Sequence, residues 1–348
     1  MRRGLIFVFL VILLALPVAA LDFEAPVPPG DAAEYLPKEA DSFGEGLWNV
    51  IRESAAVLAP SFTEGARCCL RVLGAMLLVG LAGQLSPGLS SGTVELAGVA
   101  AVAVLLLEPS ASLIQMCLET TESLREYGKL LLPVMASAMA ARGGVTSASA
   151  LYVGTAVFDA VLGSLLSTVM IPMVWTYLAL CVACSAVGEG LLEKLRDLLR
   201  WLTEWVLKLS LYVFTGYMAV TGAVSGTADA AAAKAARIAI SGAVPVVGGI
   251  LSDAADTVLL SASALGSGAG VMGILAVLAI FCAPVLRIGC RYLLLKLTGA
   301  VGEALGGGRS AALVSQVAGV LGMMMGRVST QAVLLLVSAV CFLRGVGG

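Results

Sequence analysis

The chain has 348 residues, 59% of them hydrophobic and only 13% charged, with a mean hydropathy of +0.99; soluble folds carry about 25% charged residues, so a soluble enzyme is excluded. Histidine is absent, which removes His-ligated metal and haem sites, HExxH zinc proteases and serine–histidine dyads. A net charge of −2 offers no basic field to nucleic acid. No enzymatic activity, metal or cofactor is expected.

Residues 1–20 read as a secretory signal peptide. Arg2 and Arg3 open it, Leu5 to Leu16 form its apolar run, and Val18-Ala19-Ala20 supplies small residues for cleavage. The alternative is an uncleaved first anchor. Residues 21–65 read as an external acidic tether and amphipathic helix. Over 22–65 nine acidic side chains meet only Lys38 and Arg52, a net of −7, whereas the chain beyond residue 65 carries +3. Pro26, Pro28, Pro29, Gly30 and Pro37 keep the tether irregular. From Asp41, the spacing of Phe43, Leu47, Trp48, Ile51, Ala55 and Leu58 predicts a helix lying on the membrane surface or a partner and stopping at Pro60.

Apolar stretches follow at 68–85, 94–107, 130–141, 148–170, 171–187, 207–224, 238–251, 258–286, 311–325 and 332–342. Between Glu108 and Lys129 lies a helix with one polar face, and residues 66–129 read as a first membrane hairpin plus that helix. Some stretches are too short to span, so about six to nine crossings of ~20 residues are expected. Pro133 within 130–135, and Pro245, Gly248 and Gly249 within 243–249, mark two breaks. Backbone freed at membrane depth must be buried in protein or line a wet cavity, which predicts re-entrant or discontinuous helices there. The fold class is therefore all-α: a polytopic helical membrane protein with broken helices.

An internal repeat is also expected. Residues 147–151 recur at 261–265, and Ala186-Val187-Gly188-Glu189 recurs as Ala300-Val301-Gly302-Glu303, both at an offset of 114. Pro133 and Pro172 are 39 residues apart, as are Pro245 and Pro284. Two membrane repeats, 130–226 and 227–348, follow, possessing an inverted relation if three crossings separate equivalent points.

Cys181 and Cys184 form a CxxC inside an apolar helix, where free cysteine packs as a small hydrophobe. Lys234 and Arg237 precede the second break, and Asp253 and Asp256 follow it. They are either functional groups beside a broken segment or a solvated, mutually paired cluster at the membrane edge. Asp159 is the acidic group deep in a plausible span, facing the bundle interior and pairing with Arg142 or a backbone donor. Of four GxxxG pairs, Gly322 and Gly326 best suit close helix contact, because small residues let backbones approach where lipid supplies no hydrophobic drive. Residues 189–208 predict an interfacial amphipathic helix, its leucines and Trp205 opposite charged side chains.

Lys234-Ala-Ala-Arg237, the stretch Ala243 to Val258, Gly270 and Pro284 together resemble the stage III sporulation protein AE family, as do Tyr35-Leu36-Pro37 and the multi-span layout. The resemblance implies a non-enzymatic, permease-like member of a channel or secretion-like complex in endospore formation. Its implied place is the mother-cell-derived outer forespore membrane. Its implied partners are the other stage III A sporulation proteins and, through them, stage II sporulation protein Q. A stand-alone secondary transporter coupling ions through Asp159, Asp253 or Asp256, and a passive membrane scaffold, are the competing readings.

Overall fold

In lipid the backbone has no water to bond, so a chain this apolar satisfies its own amides within helices. The computed structural model describes residues 25–35, 43–85, 91–141, 145–188, 190–224 and 268–345. The signal peptide and the cluster around Pro245 lie outside the described residues. Among these residues there is no strand; after a 3-10 turn at Gly30–Tyr35 come α1 (Phe43–Ala56), α2 (Leu58–Leu85), α3 (Ser91–Ala141), α4 (Val145–Thr168), α5 (Met170–Val187), α6 (Gly190–Val224), α7 (Gly268–Ala304) and α8 (Gly308–Gly345). Five helical stretches, 44–85, 92–141, 151–187, 270–304 and 308–342, are long and apolar enough to cross a membrane.

The helix α8 is the axis of the bundle. It packs against α3, α4, α5, α6 and α7, and most extensively against α7 and α3. Its inward residues include Leu313, Val314, Val317, Leu321, Met324 and Val328, all buried. α7 and α8 form an antiparallel hairpin closed by Gly306-Gly307-Gly308, where the Gly307 N–H donates to Gly302 O (2.8 Å) and Gly306 takes φ +81°. The left-handed φ is what glycine supplies at this turn. Outward, Leu77, Leu78 and Leu81 of α2, Val104 of α3, and Leu293 and Leu297 of α7 are exposed large apolar side chains, as suits a lipid-facing surface.

Several expectations need correction. Pro133 does not break the chain: α3 runs continuously through both Pro109 and Pro133. Proline removes one donor and leaves the carbonyl four residues back unpaired. Here that residue is Lys129, and both it and Pro133 lie on the exposed side of α3, so the defect is not buried. Pro60 does not stop a helix either. The chain turns at Val57, and Pro60 sits in the first turn of α2, where a missing N–H costs nothing. The inward face of α1 is Val50 and Ser54, with Leu47 against the core, while Trp48 and Ile51 point outward. The forecast apolar face is thus divided between core and surroundings.

Residues 261–265 lie outside the described residues; of the matched positions that are described, two pairs differ in setting. Gly188 ends α5 in the left-handed region (φ 73°), its N–H bonded to Cys184 O at 2.9 Å, whereas Gly302 lies inside α7. Pro172 occupies the first turn of α5, but Pro284 lies within α7. The boundaries drawn at 65/66 and 129/130 fall inside α2 and α3.

Candidate functional site

The helix α3 has 51 residues and is about 76 Å long at ~1.5 Å per residue, well over the ~30 Å of a hydrocarbon core. Its middle is two-sided. Glu108, Gln115, Glu119, Glu122, Glu126 and Lys129 repeat at intervals of three, four and seven and are exposed. Cys117, Leu124, Tyr127 and Leu131 occupy the opposite side and are buried. Exposed charges do not face acyl chains, so this stripe looks into water or headgroups. Within it the Gln115 amide donates to Glu119 Oε1 (3.0 Å) and Arg125 Nη1 to Glu122 Oε2 (3.0 Å).

Arg125 turns from the stripe into the bundle. Its Nε is buried without a hydrogen-bond partner and lies over Gly163 of α4; a Cβ there would sit 2.5 Å from it. One turn earlier on α4, Phe158 packs on Phe214 and Tyr217 of α6, with centroids 6.0 and 4.5 Å away. Its neighbour Asp159 is thereby directed to α8, where Oδ1 accepts from the Gln331 amide at 2.9 Å. Asp159 also lies within electrostatic reach of Arg125, Lys129 and Glu122. Among the described residues the donor to Asp159 is thus the Gln331 side chain; Arg142 lies outside them.

Arg327 of α8 is the deepest member, 3% exposed. Among the described residues no acceptor meets its Nε or Nη1, and it interacts electrostatically with Cys117, Arg125 and Glu122. Two buried threonine hydroxyls do not share its condition: Thr121 bonds Cys117 O and Thr330 bonds Gly326 O, each at 2.8 Å. Such back-bonding satisfies a hydroxyl within its own helix. Sequence reasoning missed Arg327 because it split α8 into apolar runs ending at Met325 and resuming at Ala332. The intervening Gly-Arg-Val-Ser-Thr-Gln falls between those runs. An arginine flanked by apolar runs of helical length is the signal that finds it.

Together these groups form a polar belt across α3, α4 and α8, wet at α3 and dry at Arg327. Other predicted residues lie elsewhere. Gly322 faces the Tyr292 ring of α7 and Gly326 faces Leu207 of α6, so the pair serves two neighbours. Lys234, Arg237, Pro245, Gly248, Gly249, Asp253 and Asp256 lie outside the described residues. Cys181 and Cys184 are buried in α5, and Tyr177 hydrogen-bonds Cys181; among the described residues no group of metal-ligating side chains comes together.

The helix α6 has three sides, where the sequence suggested two. Thr203, Val206, Ser210 and Phe214 are buried; Leu195, Leu198, Trp201, Trp205, Leu209 and Tyr212 form an exposed apolar strip, with the two indoles stacked at 6.3 Å. A third side carries Asp197, Arg200, Glu204 and Lys208, and the Arg200–Glu204 pair measures 3.1 Å. Core, acyl boundary and water each have a face. Trp is enriched at that boundary.

The family described as stage III sporulation protein AE matches residues 63–345. The chain belongs to the stage III sporulation protein AE family. The match runs from within α2 to the end of α8 and includes all members of the belt. A curated relative, stage III sporulation protein AE of Bacillus subtilis (strain 168), is 24% identical over 190 residues, covering 55% of this chain. The aligned region spans 48% of that relative's length. No solved structure matches the chain. For the sporulation protein AE family, the belt is thus a feature read from this chain's own side chains.

Proposed function

We propose that this protein is an integral-membrane component of the stage III A sporulation complex, a channel or secretion-like apparatus linking mother cell and forespore. In this reading it sits in the mother-cell-derived outer forespore membrane. Its partners are the other stage III A proteins and, through the complex, stage II sporulation protein Q. Residues 1–20 act as a signal peptide that leaves the acidic 21–65 segment on the outer side, and the two membrane halves descend from a duplication. No catalytic step is assigned to it. The observation that carries the reading is family membership over residues 63–345, supported by five helical stretches able to cross a membrane. The test is affinity purification of the tagged full chain from membranes of sporulating cells. Co-elution of other stage III A proteins is expected; a correctly inserted chain that elutes alone overturns the proposal.

The permease-like alternative draws on one specific feature, the Asp159–Gln331 contact inside the bundle. Ionisable groups within apolar helices commonly mark solute or ion paths. Solute flux into liposomes containing only this chain would favour a stand-alone transporter. Absence of flux, with complex assembly intact, favours a component or passive scaffold.

A further inference from the structure

Arginine does not shed its proton in proteins, and leaving a buried charge without compensation is strongly unfavourable. Arg327 meets both conditions: it is 3% exposed, and neither Nε nor Nη1 finds an acceptor among the described residues. The nearby carboxylates are already engaged, Glu122 by Arg125 and Asp159 by Gln331. Of the charged groups that act on one another here, Arg125, Lys129 and Arg327 are positive and Glu122 and Asp159 negative. Of the charged groups acting on Arg327, Arg125 is positive and Glu122 is already paired with Arg125, so no free carboxylate is left for it among the described residues, and Arg125 Nε adds a third unpartnered donor.

We infer that Arg327 and Arg125 form an oxyanion site that takes a phosphate group arriving from the exposed stripe of α3. Guanidinium groups bind oxyanions through charge-assisted hydrogen bonds, which are stronger than neutral ones. Gln331, one helical turn beyond Arg327 and on the same face, spends its amide nitrogen on Asp159 and leaves Oε1 without a partner. Unpartnered donors beside an unpartnered acceptor suit a group offering both anionic oxygens and an O–H, as the phosphate monoanion does through its own hydroxyls and phosphatidylglycerol through its glycerol hydroxyls. Exposure falls from Glu122, whose side chain is half exposed, through Arg125, which is largely covered, to buried Arg327, which orients the site toward the stripe of α3. The phosphate is either free in solution or carried on an anionic lipid headgroup. This inference stands apart from the proposed sporulation role and survives or fails without it.

The test uses the purified full chain, in detergent and in nanodiscs of phosphatidylcholine or phosphatidylglycerol. Inorganic phosphate is titrated at constant ionic strength, and thermal stability is read out. A saturable stabilisation is expected. Arg327→Met and Arg125→Gln each weaken the apparent affinity by about 10- to 100-fold, the range for losing a hydrogen bond to a charged group. Arg71→Gln, on the exposed side of α2, leaves it unchanged. Should Arg327→Met fail to fold, Arg125→Gln carries the test alone. Stabilisation only in phosphatidylglycerol, lost in the same variants, assigns the phosphate to lipid. No saturable response in any medium, or one equal in wild type and both belt variants, overturns the site.

Discussion

The two ends of α8's first five turns carry arginines in opposite circumstances. Arg309, at the start of the helix, pairs with Glu95 of α3 at 3.1 Å and donates to Ala186 O at the end of α5 (3.4 Å). Both members of that ion pair are about two-fifths exposed. Arg327 is buried, and two of its three nitrogens lack acceptors among the described residues. Arg309 explains itself as a clamp joining three helix ends. Among the described residues Arg327 joins no helices by hydrogen bond and brings into the bundle a charge that no carboxylate pairs directly. The fold accounts for Arg309 through its partners; the unpartnered donors of Arg327 are the ones the proposed phosphate would meet.

The largest expected effect breaks this contrast directly. Replacing a buried ion pair by apolar side chains of similar volume is often neutral or stabilising, by up to about 4 kcal/mol, and a charge without a direct partner has less attraction to offset that gain. Arg327→Met should therefore raise the thermal stability of the isolated chain in phosphate-free detergent while lowering spore yield in cells. A variant less stable than wild type, at undiminished spore yield, would place Arg327 among the structural groups with Arg309.

The packing of Arg125 against α4 comes next. Gly163 leaves the space that Arg125 Nε occupies, so Gly163→Val forces the guanidinium aside. Overpacking of this kind costs about 1–3 kcal/mol. Arg125→Ala in the same chain should recover most of that loss, because the clashing group is gone. An additive double variant in thermal denaturation would show that the valine harms α4 for another reason.

How much of this was legible in advance follows from what a linear pattern can register. Asp159 stood out because a carboxylate within an apolar run is visible without knowing its neighbours. Its donor, Gln331, lies 172 residues away, and no local pattern connects them. The helix over 189–208 was legible from its period, yet its division into buried and exposed apolar sides depends on where α5 and α8 lie. Pro133 was misread as a break because the proline rule acts on one residue, whereas the continuity of α3 depends on which side that residue faces. Arg327 was hidden by the same habit of treating polar residues as punctuation. The repeat rests on sequence identities that include Gly188 and Gly302, and those two glycines adopt different conformations.

A smaller effect probes the contact between α4 and α8. Hydrogen bonds between membrane helices average about 0.6 kcal/mol in double-mutant cycles and reach ~1.7 kcal/mol. Asp159→Leu, Gln331→Leu and the double variant should give a coupling in that range. Coupling near zero would make the 2.9 Å contact incidental to the belt.

The smallest effect belongs to the clamp. An exposed ion pair contributes about 0–1 kcal/mol because water screens it and two long side chains must be ordered. Arg309 has a second reason to sit where it does: the last carbonyls of α5 carry the negative end of that helix dipole, worth about 0.3–1 kcal/mol to a nearby cation. Glu95→Gln should then cost less than Arg309→Gln, because the first removes only the ion pair and the second also removes the donor to Ala186. Raising salt should narrow the loss caused by Glu95→Gln. At Arg327 the response to salt should be much weaker, since a buried charge is poorly screened. If salt alone, with phosphate excluded, stabilises wild type but not Arg327→Met, the two arginines differ less than their surroundings suggest, and the belt is more open to water than its buried donors imply.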